Sequence, residues 1–425
     1  MQRIHRLLPR DAYLSKALMF RDTDIIKVVT GIRRAGKSSL LELIRQQIQS
    51  EGVAERSFVS INLESRTCPV TSESDLYGYC KARMAETGRT YLFIDEPQRL
   101  AGWQDAVNAL RVDFDCDIYV TGSNSYLLSS ELSTFLSGRY VEIEMLPLSV
   151  PEYVRFCGLV FNADNPVAIA EDGSVVLFDA VLERYLRFGG MPAIASLETT
   201  QAAHEAYLSG VYEAVVVRDI LNRERRQGKS RVTDAAQLKR LTEYLAGEIG
   251  NLCSANGIAN ALTSAGKKTS QVTISSYLDA LRDAYVFYEA KRYDLHGKET
   301  LRSLPKYYVA DLGLRSMLMG YRLLDVGRAF ENAVYLHLRY AGWAVHVGKL
   351  YQREVDFVAI QDGRRVYLQV ADNLYAGETL ERELAPLRSI HDAFPKMVVV
   401  RQGSYDSDID GIQILGAQRF FLGRW

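Results

Sequence analysis

The pattern of apolar and polar positions separates this chain into two kinds of stretch. Short apolar runs bounded by polar turns occur at 25–29, 57–63, 91–94 and 117–121, with a further run at 141–145. Runs this short and this continuous predict strands covered on both faces, as in a parallel sheet. Between them the apolar residues return at helical spacing. Leu40, Leu41, Ile44 and Ile48 form one stripe, and helices are expected over 11–19, 75–84 and 103–112. Alternating strands and helices predict an α/β core over residues 1–150. The segment 151–228 is mostly helical in pattern. After a polar break at 227–230, helices are predicted over 235–248, 254–262 and 269–283, then two strand-like runs at 285–295 and 306–310. Three helices followed by a hairpin predict a winged-helix domain over 229–320. The remainder, 321–425, reads as a second α/β domain, with a helix over 330–342 and strands at 344–347, 354–360 and 365–370.

The chemistry gathers where the predicted strands of the first domain end. The first strand runs into Gly31-Ile32-Arg33-Arg34-Ala35-Gly36-Lys37-Ser38, which matches the Walker A pattern G-x-x-x-x-G-K-[ST]. Glycines at 31 and 36 let the backbone curl around phosphate oxygens, and the following helix presents its positive end to them. Gly31, Arg34, Ala35, Gly36, Lys37, Ser38 and Ser39 are therefore the candidate ATP-binding residues. Lys37 would reach the β- and γ-phosphates, and Ser38 would offer a hydroxyl to Mg²⁺. Some sixty residues on, Tyr91-Leu-Phe-Ile-Asp95-Glu96 is an apolar strand ending in two acids, a Walker B strand. Asp95 is the second candidate Mg²⁺ residue. Glu96 is placed to orient or deprotonate an attacking water. The strand over 117–121 ends in Gly122-Ser123-Asn124, where Ser123 or Asn124 could bond the γ-phosphate or cap a following helix. Arg139 is a candidate arginine finger, a planar cation able to offset transition-state charge.

Composition narrows the class. The 51 Lys and Arg against 52 Asp and Glu give a net charge of -1, so any nucleic-acid surface must be local. Five scattered cysteines without C-x-x-C spacing favour reduced thiols over disulfides or zinc. There is no signal-like N-terminus and no apolar run of ~18 residues. The expectation is a cytoplasmic protein that does not enter a membrane.

Together, Thr30 to Ser39, Leu92 to Gln98, Thr121 to Ser125, Leu136 to Tyr140 and Leu146 to Ser149 resemble a widespread prokaryotic family of AAA-type ATPases. Its members are similar to archaeal-type ATPases of the signal-transduction NTPase class and carry a C-terminal domain of unknown function. The resemblance implies a P-loop core with an additional strand and a catalytic glutamate. It extends through Tyr185 to Pro192, which looks like the family's helical lid, and it supports the winged helix.

In the winged-helix domain, Lys267 to Gln271 and Thr273 would begin a recognition helix, and His296, Lys298 and Arg302 would decorate the wing. Such domains also serve as protein-interaction modules, so DNA and a protein stand as alternative partners. In the last domain, Glu331 and Asp356 match two positions of the restriction-endonuclease-like pattern. The third position fails. The remaining carboxylate and lysine should fall on one strand face at Gln369 and Ala371, and neither carries charge, so nuclease activity is not expected. The expected molecule is an α/β protein: a P-loop ATPase core, helical lid, winged helix and restriction-endonuclease-like domain. Its expected activity is Mg²⁺-dependent ATP hydrolysis driving a switch or a nucleic-acid-associated motor. A nucleotide-regulated DNA-processing protein and a protein-interaction scaffold are the alternatives. A trans-acting Arg139 would require a homo-oligomer.

Overall fold

The computed structural model describes residues 7–123, 138–161, 167–170, 172–197, 200–221, 232–297, 299–321, 325–351, 353–403, 405–423 and 425. The chain forms two compact units, Met1–Met145 with Asp283–Tyr285, and Leu146–Arg282 with Val286–Trp425.

The first unit is built on a five-stranded parallel sheet in the order β2-β3-β4-β1-β5. Its strands are β1 (Ile26–Thr30), β2 (Phe58–Asn62), β3 (Thr90–Asp95), β4 (Cys116–Thr121) and β5 (Tyr140–Glu144). Strands β1, β3 and β4 are buried along their whole length, as their continuous apolar runs require. Helices α1 (Asp11–Leu18), α2 (Lys37–Ser50), α3 (Glu73–Lys81) and α4 (Trp103–Asp113) accompany the sheet. Trp103, Ala106, Val107 and Leu110 of α4 and Leu76 and Cys80 of α3 pack with Val28, Ile61, Ile94 and Ile118 in one core. Strand β4 lies between β1 and β3, so the strand that runs into the Gly31 loop and the strand that ends in Asp95 are separated by an additional strand. All five run the same way and deliver their C-terminal ends to one edge. At the other end, Lys27 and Asp117 form a fully buried ion pair, with Asp22 N also donating to Asp117 at 3.0 Å.

The second unit opens with α5 (Val150–Phe156), whose Ser149 and Glu152 form a capping box. A three-stranded antiparallel sheet follows, β6 (Leu159–Phe161), β7 (Val167–Ala170) and β8 (Val175–Leu177). A mostly helical pattern was expected here. The β7–β8 turn passes through Gly173 in the left-handed region, and Val167–Ala170 and Val175–Leu177 pair across it. Helices α6 (Phe178–Phe188), α7 (Pro192–Ser196) and α8 (Gln201–Tyr212) continue the segment. Gly189 and Gly190 then meet Asp311: Gly190 N donates to its carboxylate at 2.7 Å, and a Cβ on Gly189 would lie 2.2 Å from that carboxylate. Asp311 also caps α12 (Leu312–Leu318) through Leu314 N. Burial pushes its carboxyl up to about 6.

Helices α9 (Ala235–Gly247), α10 (Ala255–Ser264) and α11 (Gln271–Asp283) precede the hairpin β9 (Phe287–Asp294) and β10 (Glu299–Val309). Asp234 caps α9 and Ser254 caps α10. The hairpin does not stand alone, because β9 pairs in parallel with β11 (Ala344–Leu350). One eight-stranded sheet therefore joins the hairpin to β12 (Arg353–Gln361), β13 (Arg364–Ala371), β14 (Lys396–Val400), β15 (Asp406–Ile409) and β16 (Ile412–Gly416). Helix α13 (Val326–Tyr340) sets Tyr335 against Tyr308 and Phe357, at 4.3 and 6.1 Å between ring centres. Helix α14 (Gly377–Arg388) buries Leu384 and Leu387 against Tyr367, Val358, Ala371 and Val398.

Candidate functional site

The loop from β1 to α2 is shaped by close packing. Gly31 has φ +129°, and a Cβ there would lie 2.1 Å from the Met145 carbonyl, so no side chain fits. Gly36 is left-handed at φ 102° and immediately precedes α2. Helices α3, α5, α8, α9, α10 and α12 each have a Ser, Thr or Asp side chain on their first amides. Helix α2, like α1, α4, α6, α7, α13 and α14, has no such cap, and it has no acid in its first turn, so its positive end can receive an exogenous anion. The Lys37 ammonium is buried and donates to the carbonyls of Gly31 and Ile32, at 2.9 and 3.1 Å. Arg34, Ser38 and Ser39 are exposed, whereas Ala35 is buried and its carbonyl accepts from Arg10 at 3.2 Å.

The two acids end β3 next to β4 and β2. Asp95 accepts from the hydroxyl of Thr121 and from Asn62 Nδ2 at 3.0 Å. Thr121 Oγ1 in turn accepts from Glu96 N at 3.0 Å, so one hydroxyl fixes both acids. Glu96 is left-handed at φ 56°, a strained geometry for a non-glycine residue that turns its side chain away from the strand line. Its carboxylate accepts from Gln98 at 2.5 Å and from Ser123 Oγ at 3.4 Å. Burial raises the Glu96 carboxyl above its usual range, the Lys37 ammonium draws it back, and Asp95 and Glu64 push it further up. A carboxylate so perturbed is a better proton acceptor than an exposed one.

Lys37, Asp95, Glu96 and Ser123 thus lie on the edge to which the strands point. Thr121, Asn62 and Gln98 were not anticipated. The register Asn62↔Asp95 is what brings Asn62 there, and strand register is not readable from the short β2 and β3 runs alone. Asn124 lies outside the described residues. Arg139 is elsewhere: its carbonyl accepts from Ile26 N, at the start of β1. The five residue steps from Ile26 to Gly31 span about 17 Å. Arg139 is therefore at the sheet edge opposite the loop, and the fold does not bring it to the other candidate residues. Arg33 pairs with Glu64 at 2.7 Å, and Arg99 shares that carboxylate oxygen at 2.5 Å.

The predicted positions of the last domain also converge, around a lysine that the sequence did not single out. Lys306, on β10, is 4% exposed, and its ammonium lies 3.4 Å from Glu331 and 2.6 Å from Glu354. Tyr308 donates to Glu331 at 2.6 Å. Asp356 accepts from Val370 N at 2.9 Å, and burial together with Glu331 holds its carboxyl well above the usual range while Lys306 opposes the shift. Gln369 accepts from Asp356 N at 2.7 Å and donates to Glu383 at 3.1 Å. Ala371 belongs to the apolar core under α14. In the segment expected to be a winged helix, Lys267 is paired with Asp234 at 2.6 Å, which takes up one of the cations expected to begin the recognition helix. Lys298 lies outside the described residues, as does the side chain of Arg302.

Residues 23–154 match an AAA domain, and residues 179–325 match a domain of unknown function (DUF8612). An uncharacterized protein of Haemophilus influenzae is 36% identical over 411 residues, 96% of this chain and 97% of the relative. One of Methanocaldococcus jannaschii is 28% identical over 349 residues, 80% of this chain and 73% of the relative. Among solved structures, a Walker-type ATPase of Pyrococcus abyssi is similar at 17% identity and TM-score 0.44, covering 72% of this chain and 93% of that one. The sheet order, the loop built on Gly31 and the full-length likeness to the Haemophilus protein lead to one statement: the chain belongs to a prokaryotic family of AAA-type P-loop ATPases that carry a domain of unknown function behind the ATPase core.

Proposed function

We propose that the protein binds ATP at the β1–α2 loop and hydrolyses it with Mg²⁺. The observation that carries this reading is the single hydroxyl of Thr121 fixing Asp95 and Glu96 together, on the sheet edge that also holds Lys37. The donor set suits a hard divalent ion, because Asp95 is a buried carboxylate that accepts from the neutral donors of Thr121 and Asn62, and Ser38 is an exposed hydroxyl of the loop. Ser38 and Asp95 would hold Mg²⁺, which would supply positive charge against the phosphates. Lys37 would exchange its carbonyl partners for phosphate oxygens. Glu96, raised by burial and aimed by Gln98 and Ser123, would accept the proton of the attacking water. Gly31, Arg34, Ala35, Gly36, Lys37, Ser38 and Ser39 would line the phosphates. Asn124, three residues beyond β4 in the sequence, is retained as a candidate for bonding the γ-phosphate.

Hydrolysis is proposed to switch the state of the second unit, whose segments 229–320 and 321–425 we assign to winged-helix and restriction-endonuclease-like folds. A protein partner is favoured over DNA, because Lys267 is already paired with Asp234. A steady-state phosphate-release assay tests the main reading: turnover should need Mg²⁺ and should collapse in Lys37→Ala. Equal rates in the native chain and in Lys37→Ala would dismiss it.

A further inference from the structure

The second unit contains a cavity of about 600 Å³ between α6, the α12–α13 region and Arg401. That volume lies within the range of small-molecule sites. Its wall carries four guanidinium groups, from Arg184, Arg187, Arg315 and Arg401, against two carboxylates, Glu183 and Asp325. Both carboxylates are well exposed, with side chains 68% and 42% accessible, while Arg315 and Arg401 are 7% and 9% exposed. The two least exposed charged groups on the wall are therefore both cations, each with a carboxylate partner.

Three of these arginines are held in place by the fold. Arg315 donates to the Ala246 carbonyl at 3.0 Å and to Asp325 at 3.2 Å. Arg401 pairs with Asp372 at 2.5 Å, and Arg187 donates to Gln201 at 2.6 Å. Arg184 differs. Its Nε is buried without a hydrogen-bond partner, and no described carboxylate pairs with it. Two neighbours share this condition. Tyr321, on the wall, has a buried hydroxyl with no partner, and His204 is fully buried with neither ring nitrogen bonded. Both flank Phe188, with ring centres 4.4 Å away for His204 and 6.1 Å for Tyr321. Leaving a buried donor unsatisfied costs about 1–3 kcal/mol, so Arg184 and Tyr321, the two on the cavity wall, ask for a common acceptor, while His204 packs on Phe188 without lining the cavity.

We propose that this cavity binds a phosphorylated small molecule of nucleotide size, its phosphate among Arg184, Arg315 and Arg401 and its organic part against Phe188 and Tyr321. Planar guanidinium groups match tetrahedral phosphate oxygens, and a phosphate's several acceptors can satisfy several donors at once. A bare phosphate would fill only a small part of the volume. The inference is independent of the ATP reading, because the site lies wholly within the second unit.

The test is isothermal titration of the full chain carrying Lys37→Ala with AMP, glucose 6-phosphate, inorganic pyrophosphate and inorganic phosphate. The same titrations in the native chain saturated with Mg²⁺–ADP guard against misfolding of the variant. At least one organic phosphate should bind saturably, and adding Arg184→Ala should weaken it roughly tenfold or more, as loss of a charged hydrogen bond predicts. AMP against glucose 6-phosphate tells a base-bearing ligand from a sugar phosphate. Arg184→Lys should restore part of the affinity, and Arg184→Ala in the otherwise native chain should hydrolyse ATP at the native rate. No saturable binding of any organic phosphate up to about 1 mM, or binding indifferent to Arg184→Ala, overturns the proposal.

Discussion

Replacing Lys306 by methionine keeps most of the side-chain volume and removes one buried positive charge from among Glu331, Glu354 and Asp356. The native lysine is 4% exposed, so water cannot take its place cheaply. Removing one partner of a buried ion pair costs about 3–5 kcal/mol, mostly from the charges left behind. For a unit of this size that corresponds to a fall of roughly 6 °C or more in Tm. The pH dependence has a definite sign. Asp356 is raised in the folded state, so the folded chain keeps a proton that the unfolded chain releases, and stability falls as pH rises above the ordinary carboxylate range. Lys306 opposes that shift and is itself raised, so its own contribution is complete below about pH 10 and lost above. Without it, Glu331 and Asp356 repel unscreened, and the difference between Lys306→Met and the native chain should widen from pH 6 to pH 8. Asp356→Asn added to Lys306→Met should recover part of the loss. Scanning calorimetry at the two pH values measures this. Equal Tm for the native chain and Lys306→Met at pH 8, or a gap that narrows with rising pH, would show that the cluster is not held by this cation.

Three further outcomes follow from the first unit. Gly31→Ala should abolish nucleotide binding and lower Tm, because the added Cβ meets the Met145 carbonyl at 2.1 Å; a thermal melt with and without Mg²⁺–ATP reads both effects. Thr121→Val removes the hydroxyl shared by Asp95 and Glu96, and the Mg²⁺ concentration for half-maximal turnover should rise about 10–100-fold, the range seen when a ligand's supporting hydrogen bond is lost; an unchanged Mg²⁺ titration counts against the arrangement. If Arg139 serves a neighbouring copy, mixing inactive Arg139→Ala and Lys37→Ala chains should restore turnover at mixed interfaces; no recovery from two folded variants leaves Arg139 a structural residue just before β5.

The parts of this molecule that were readable from the sequence are those whose physics is local. Gly31 to Ser39 joins a strand to a helix within one turn, and Asp95 and Glu96 follow their strand directly, so spacing alone announces them. What joins them is not local. Thr121 and Asn62 reach Asp95 only through strand neighbours 26 and 33 residues away. Arg139 looked suitable by residue type, but parallel pairing with β1 puts it at the strands' starting edge. The sheet over 159–177 was missed because its strands of three or four residues show too little alternation to outweigh the helical surroundings. The hairpin of the winged-helix pattern was expected correctly as a hairpin, yet its parallel contact with β11 fuses it to the last sheet, and no turn residue signals that. Lys306 was invisible for the same reason: its partners lie 25 and 48 residues further on, and only the register of a sheet brings them to it.

The central claim, that Glu96 activates water at an ATP site built on Lys37 and Asp95, is tested most directly by single-turnover hydrolysis with Glu96→Gln. The variant keeps the shape and loses the proton acceptor. It should bind ATP with Mg²⁺ as tightly as the native chain and release phosphate at least a hundredfold more slowly, the lower range of general-base contributions. Native rates of phosphate release in Glu96→Gln would contradict the account.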